Sequence, residues 1–184
     1  MNTDLGSLIV ERALLDGDFV LRSGKRSSWY LDKYRFETEP TILRELGASL
    51  SDAVQQFEPE AVRLAGPALG AVALAASASL TSDLPFIIVR GETKEYGTAK
   101  RIEGSFEPGE LVCLLEDVVT TGGALVEAVS ALRDEGLVVR TAVCVVDREE
   151  GGSDALARVG VRLRALFRAE ELLELRKTAA KRDG

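Results

Sequence analysis

The sequence predicts an α/β domain built on an open, mainly parallel sheet with helices on its flanks. Three observations carry this. The stretches "LPFIIVR" (84–90) and "ELVCLLED" (110–117) are continuous apolar runs, the mark of strands covered on both faces rather than one. Segments with apolar residues at helical spacing fall between such runs. Strand then helix then strand, with no linker between, calls for crossover connections in a single sheet. At 184 residues, 46% of them hydrophobic, the chain fits one domain over 1–184 with a sizeable core.

Taken in order, Leu5, Leu8, Ile9, Arg12, Ala13 and Leu15 lie at helical spacing, and "DGD" (16–18) reads as the turn after them. "FVLRSGKRSSWYLD" (19–32) reads as two short strands around a Ser-Gly-Lys turn. Pro40 opens a helix to about Phe57, because proline is tolerated in a first turn. "VRLAG" is a short strand running into the Ala-rich helix of "GPALGAVALAASASL". After the strand of 84–90 comes "GETKEYGTAKRIEGSFEPG" (91–109), long for a compact domain, as active-site lids often are. Gly122 to Glu135 is a helix stopped at Gly136, "VVRTAVCVVDR" a strand, "LRALF" another, and a last helix starts at Glu170. The tail 177–184, "KTAAKRDG", has no apolar anchor and is expected to fray.

Composition excludes several classes of function. Lys and Arg total 23 against 30 Asp and Glu, so the net charge of −7 disfavours non-specific attraction to nucleic acid or an anionic membrane. No apolar run reaches the roughly 20 residues of a membrane span, and the N-terminal segment lacks a basic-then-apolar signal, so a cytoplasmic protein is expected. The absence of histidine removes His-based triads and the commonest zinc ligand. Cys113 and Cys144 sit inside apolar strands and read as small hydrophobes.

The informative stretch is "LLEDVVTTGGALVEAV" (114–129). Glu116 and Asp117 fall where a strand leaves the sheet, the edge at which ligands of open α/β sheets bind. Thr120, Thr121, Gly122, Gly123 and Ala124 then open a helix, whose free N–H groups, glycine backbone and hydroxyls suit a phosphate. Carboxylates so near would repel that phosphate unless they face another part of the ligand, such as sugar hydroxyls. A phosphorylated sugar satisfies both.

In this order of residues the stretch resembles the phosphoribosyl pyrophosphate motif of type I phosphoribosyltransferases. The resemblance implies that family's open sheet, with residues 1–35 contributing to a small N-terminal hood and a mobile active-site loop. It assigns the ribose hydroxyls to Glu116 and Asp117 and the 5'-phosphate to the turn from Thr120 to Ala124. "FVLRSGKRSSWYLD", "VRGETKEYGTAKRIEG" and "VVDREEGG" resemble orotate phosphoribosyltransferases in the same order, over most of the chain. That likeness implies transfer of ribose 5-phosphate from phosphoribosyl pyrophosphate to orotate in pyrimidine synthesis, with Mg²⁺ held mainly by the substrate. Two alternatives stay open: a phosphoribosyltransferase for another base, and a non-catalytic regulator that binds phosphoribosyl pyrophosphate.

Carried over residue by residue, the resemblance gives Arg148 the orotate carboxylate, for which a guanidinium fork is suited. Ser27 and Tyr30 match base-pocket positions, although Tyr30 also reads as an alternating strand aromatic. Gly66 to Gly70 match the pyrophosphate loop, and otherwise read as a strand-to-helix turn. Arg90 and Lys94 match catalytic loop cations, and the loop 91–104 is implied to reach a neighbouring subunit's site, hence a homodimer. Lys94 over the leaving pyrophosphate would stabilise its developing charge. The family's Arg-Lys-x-x-Lys-x-His-Gly reads "RGETKEYG" here, so Gly91 and Tyr96 replace a cation and an imidazole, and Arg22 replaces a lysine. One lost donor to a transition state is worth about 3 kcal/mol, so turnover is expected to be slow unless Lys100 and Arg101 compensate.

Overall fold

The computed structural model describes residues 3–20, 24, 26–91 and 101–180. Arg22, Lys94, Tyr96 and Lys100 lie outside them.

The order is α1 (Thr3–Ala13), β1 (Leu14–Val20), β2 (Arg26–Leu31), α2 (Lys33–Glu37), α3 (Pro40–Phe57), β3 (Arg63–Pro67), α4 (Gly70–Ser82) and β4 (Phe86–Val89). There follow β5 (Ile102–Glu103), β6 (Leu111–Val119), α5 (Gly123–Asp134), β7 (Val138–Asp147), α6 (Gly152–Arg158), β8 (Arg162–Arg168) and α7 (Ala169–Ala180). The main sheet has six strands in the order β5-β4-β3-β6-β7-β8. All its pairs are parallel except β4 with β5. β1 and β2 form a separate antiparallel pair.

Between β3 and β6 the order of strands reverses, since β4 lies outside β3 on one side and β7 beyond β6 on the other. At such a switch point the loops leaving the two strands part to opposite faces and open a crevice. The loops involved are "PALG" after β3 and "TTGG" after β6.

Alternation along the central strands explains how both faces become covered. On β6, Cys113 and Leu115 join one core with α1, α3, α4 and α7, while Val112 and Leu114 join a second core under α5. The two cysteines are free, fully buried and in opposite cores. Burial pushes both thiols up, that of Cys113 to about 12, so they are the inert hydrophobes expected.

Three local readings change. "DGD" is no turn: β1 runs through it, and the register with β2 passes from Asp16↔Trp29 to Phe19↔Ser27, so one extra residue is taken up as a bulge. The segment 91–109 contains the short strand β5. The last helix continues through Ala180, into the tail expected to fray from Lys177, and residues 181–184 lie outside those described. Among the described residues, no helix is long and apolar enough to cross a membrane.

The seat of α4 beneath the crevice depends on a close crossing with α3. A Cβ at Gly47 would overlap the Ser77 hydroxyl and lie 2.8 Å from its carbonyl carbon. The Ser77 Oγ donates to Leu43 O at 2.9 Å across the same contact. Helix propensity favours Gly47→Ala by about 1 kcal/mol. Overpacking costs about 1–3 kcal/mol, and disturbing a half-buried hydrogen bond about 1 more. The clash should prevail, lowering the urea unfolding midpoint; a raised midpoint would show that the two helices can slide apart.

Candidate active site

β6 stays buried for seven residues and ends in two carboxyls, Glu116 at 8% exposure and Asp117 at 2%. Being consecutive on a strand, the two side chains leave it on opposite faces. Glu116 has the parity of Leu114 and faces a cleft of about 830 Å³ on the α5 side. Asp117 has the parity of Leu115, on the side of α4. Its Oδ2 lies 2.5 Å from Lys33 Nζ, and its Oδ1 accepts the Val118 N–H. The Asp117 N–H in turn donates to Glu116 Oε1 at 3.1 Å. The sequence reading set both acids against one sugar; the structure puts Glu116 on the cleft wall and Asp117 directly behind it.

The turn after β6 forms the floor of the cleft, with Thr120, Thr121, Gly122, Gly123 and Ala124 all lining it. Gly122 holds φ +78°, the left-handed region, and a Cβ there would come within 3.0 Å of Gly152, so only glycine fits. At Gly123 an added Cβ would meet nothing, and that open space faces the cleft. No side chain caps α5, which leaves its first N–H groups to an anion.

Arg148 closes the cleft from the end of β7. Its N–H donates to Val119 O at 2.9 Å, tying the ends of β6 and β7 together. The guanidinium lies 4.8 Å from the centroid of the Trp29 ring and 3.0 Å from Glu150. Its Nε is buried without a partner, so the protein does not use all its donors. Tyr30 lines the cleft, with its ring 5.5 Å from that of Phe19.

Other expected residues lie off the cleft wall. The Ser27 hydroxyl donates to Trp29 O at 2.7 Å and is not on the cleft wall. Gly66 lets α4 fold back onto β3, since a Cβ there would come 2.6 Å from Ala71 O. Gly70 makes room for the acidic pair: a Cβ would overlap the Asp117 carboxylate and lie 2.7 Å from Lys33 Nζ. Arg90 ends β4, its N–H on Arg101 O at 2.8 Å and its guanidinium 3.3 Å from Glu103. Among the described residues no group of three or more His, Cys, Asp or Glu is disposed to hold a metal.

Lys33, Glu37, Trp29 and Glu150 escaped the sequence reading. Lys33 meets Asp117 across 84 positions, a pairing that periodicity cannot show. The spacing of Lys33 and Glu37, four apart in "KYRFE", was a visible sign of one helical face.

The electrostatics follow from burial. Burial raises the Glu116 carboxyl, and the adjacent Asp117 raises it further, to about 8. Glu37, 3% exposed, is raised to about 8 by the same two causes in the same order. Burial works against the Lys33 ammonium, but the attraction and hydrogen bond of Asp117 outweigh it and hold the ammonium above its usual value.

The chain has close known relatives. It is 46% identical over 175 residues to the orotate phosphoribosyltransferase of Methanocella arvoryzae, covering 94% of this chain and 98% of that one. The chain belongs to the orotate phosphoribosyltransferase family. Among solved structures, the Aeropyrum pernix orotate phosphoribosyltransferase superposes with a TM-score of 0.84 at 36% identity, covering 92% of this chain and 96% of that one. The Mycobacterium tuberculosis orotate phosphoribosyltransferase in complex with 5-phospho-α-D-ribosyl 1-diphosphate superposes with a TM-score of 0.78 at 26% identity, covering 92% and 97%. No family model matches the sequence.

For this orotate phosphoribosyltransferase family member, the raised Glu116 carboxyl fixes a pH effect. The charges of Asp117, Lys33 and Glu37 reach it, and it keeps its proton from the ordinary 4.5 up to about 8 when folded. The folded chain therefore binds more protons than the unfolded one across that window. This contribution to stability is whole below about 4.5 and is lost as pH rises to 8. Glu116→Gln should melt with the parent near pH 5 and above it by roughly 2–8 °C near pH 8.5, corresponding to about 1–2 kcal/mol. A constant difference across pH would show that Glu116 is ionised throughout.

Proposed function

We propose that the protein transfers ribose 5-phosphate from phosphoribosyl pyrophosphate to orotate, giving orotidine 5'-monophosphate and pyrophosphate. The observation that carries this reading is the shared cleft: an uncapped helix start, a carboxyl from β6 and a guanidinium from β7 line one cavity. The α5 N-terminus with Thr120 and Thr121 takes the 5'-phosphate, and Glu116, backed by Asp117, takes the ribose hydroxyls. Arg148, seated over the Trp29 ring, exchanges Glu150 for the orotate carboxylate.

In the reaction a ring nitrogen of orotate, its proton lost, bonds to the anomeric carbon. The bond from that carbon to the pyrophosphate oxygen breaks, and its electron pair leaves on pyrophosphate. Negative charge gathers on the leaving group, where Lys94, Lys100 and Arg90 are the cations the chain has to offer. Mg²⁺, held mainly by the substrate, would supply charge neutralisation at the leaving pyrophosphate, as suits an ion that sheds its water reluctantly for an all-protein cage. We read the active unit as a homodimer in which residues 91–104 serve the neighbouring site.

Pyrophosphate release with orotate, but not with uracil, hypoxanthine or adenine, is the expected result. Arg148→Lys keeps the charge and loses the fork, so the KM for orotate should rise about 10- to 100-fold, the worth of roughly 1.5–3 kcal/mol of charged hydrogen bonding. The KM for phosphoribosyl pyrophosphate should move less than about threefold. Equal loss on both substrates would remove Arg148 from base recognition.

A further inference from the structure

Helix α2 has no part in the function proposed above, yet it places two charged residues against the acidic pair. Lys33 and Glu37 are one turn apart and so share a face. Lys33 Nζ is 2.5 Å from Asp117 Oδ2, while Asp117 is 2% exposed and the Lys33 side chain 32%. Glu37 is buried, and its Oε1 has no hydrogen-bond partner. Gly70, at the start of α4, leaves room for the same carboxylate, since a Cβ there would overlap it. Asp117 is thus held by the Val118 N–H of its own strand and by Lys33, in the space that Gly70 leaves open.

We propose that Lys33 is a positioning residue for phosphoribosyl pyrophosphate: by pinning Asp117 from helix α2 it sets the acidic pair, with Glu37 as the buried carboxyl against which that pair rests. This rests on the reading that Glu116 and Asp117 hold the ribose. Glu116, Asp117 and Glu37 are three carboxyls crowded out of water, and the Lys33 ammonium is the cation set against Asp117. Without it, Asp117 loses its partner from α2 and turns away, and the Asp117 N–H that steadies Glu116 shifts with it. The raised proton affinity of Glu37 agrees with this, because a neutral carboxyl can donate to Asp117 where an ionised one would repel it. Arg148 and the base side of the cleft lie on other elements and do not depend on Lys33.

The test uses the full chain with phosphoribosyl pyrophosphate and orotate varied in turn, and a thermal melt of each variant. Lys33→Met should lower kcat/KM for phosphoribosyl pyrophosphate at least tenfold, leave the KM for orotate within about twofold, and melt as a folded protein. Lys33→Arg should restore most of the loss. Glu37→Gln, which copies a neutral carboxyl, should stay within about threefold of the parent near pH 7, whereas Glu37→Leu should not. Equal losses on both substrates, or none, would overturn the proposal. If Lys33→Met does not fold, Lys33→Gln takes its place with the same required outcome. Should the parent release no pyrophosphate with orotate, the assigned reaction fails. The positioning role is then judged by calorimetric titration of phosphoribosyl pyrophosphate alone: Lys33→Met must bind it at least tenfold more weakly than the parent, and equal affinity, or no binding by the parent, overturns it.

Discussion

A strand that is apolar for its first five residues and then carries two acids, still inside the sheet, is the constraint around which this molecule is arranged. β6 lies between β3 and β7, and its two acids are buried, Glu116 to 8% and Asp117 to 2% exposure. Its last turns cannot be solvated in the usual way, and each carboxyl needs a local solution. Glu116 has the Asp117 N–H and a cleft. Asp117 has the Val118 N–H, an ammonium from α2 and the bare backbone of Gly70. The crevice between the loops after β3 and β6 exists because strand order reverses there, and the acids exist at that crevice because β6 ends in it.

Such an arrangement opposes stability. Two carboxyls held to about 8 are groups that the fold would rather keep neutral, and a cluster without them would be easier to bury. Their retention in a core-adjacent position is the physical sign of a binding site rather than a structural one. Contrast Glu58, also buried, which accepts from Thr141 Oγ1 at 2.8 Å, on the far side of the sheet from the cleft loops. That carboxyl closes a hydrogen bond within the scaffold, whereas Glu37 leaves an oxygen without a partner.

How much of this was legible depended on whether the deciding contact was local. The runs that became β4 and β6 are apolar because both faces of a parallel sheet are covered, so the sequence shows them directly. Pro40 marks the first turn of α3 by its own geometry, and "TTGG" marks the uncapped start of α5. By contrast α2 and α6 span only five and seven residues, too few turns for a period to register. "DGD" carries turn residues, but pairing with β2 holds it as a bulged strand, with Asp18 on Arg26 and Asp16 on Arg176 supporting it from elsewhere. The site divides in the same way: the turn and acids are contiguous and were found, while Lys33 and Trp29 reach the cluster only through the tertiary fold.

The parity of a strand settles the roles of the acidic pair. Two neighbouring residues on a pleated strand cannot present their side chains to one face, so a motif of adjacent acids necessarily sends one to each side. Here the α5 side is the cleft and the α4 side is a packed seam. The residue on the seam side can serve a ligand only if something holds it firmly where α4 begins, and β6 itself offers only the Val118 N–H. A cation brought from an N-terminal helix supplies the hold, and a glycine at the start of α4 supplies the space. Helix α2 is therefore tied to the end of β6 through charge, as Trp29 on β2 is tied to Arg148 after β7. The N-terminal segment, which adds no strand to the main sheet, thereby reaches residues after both central strands.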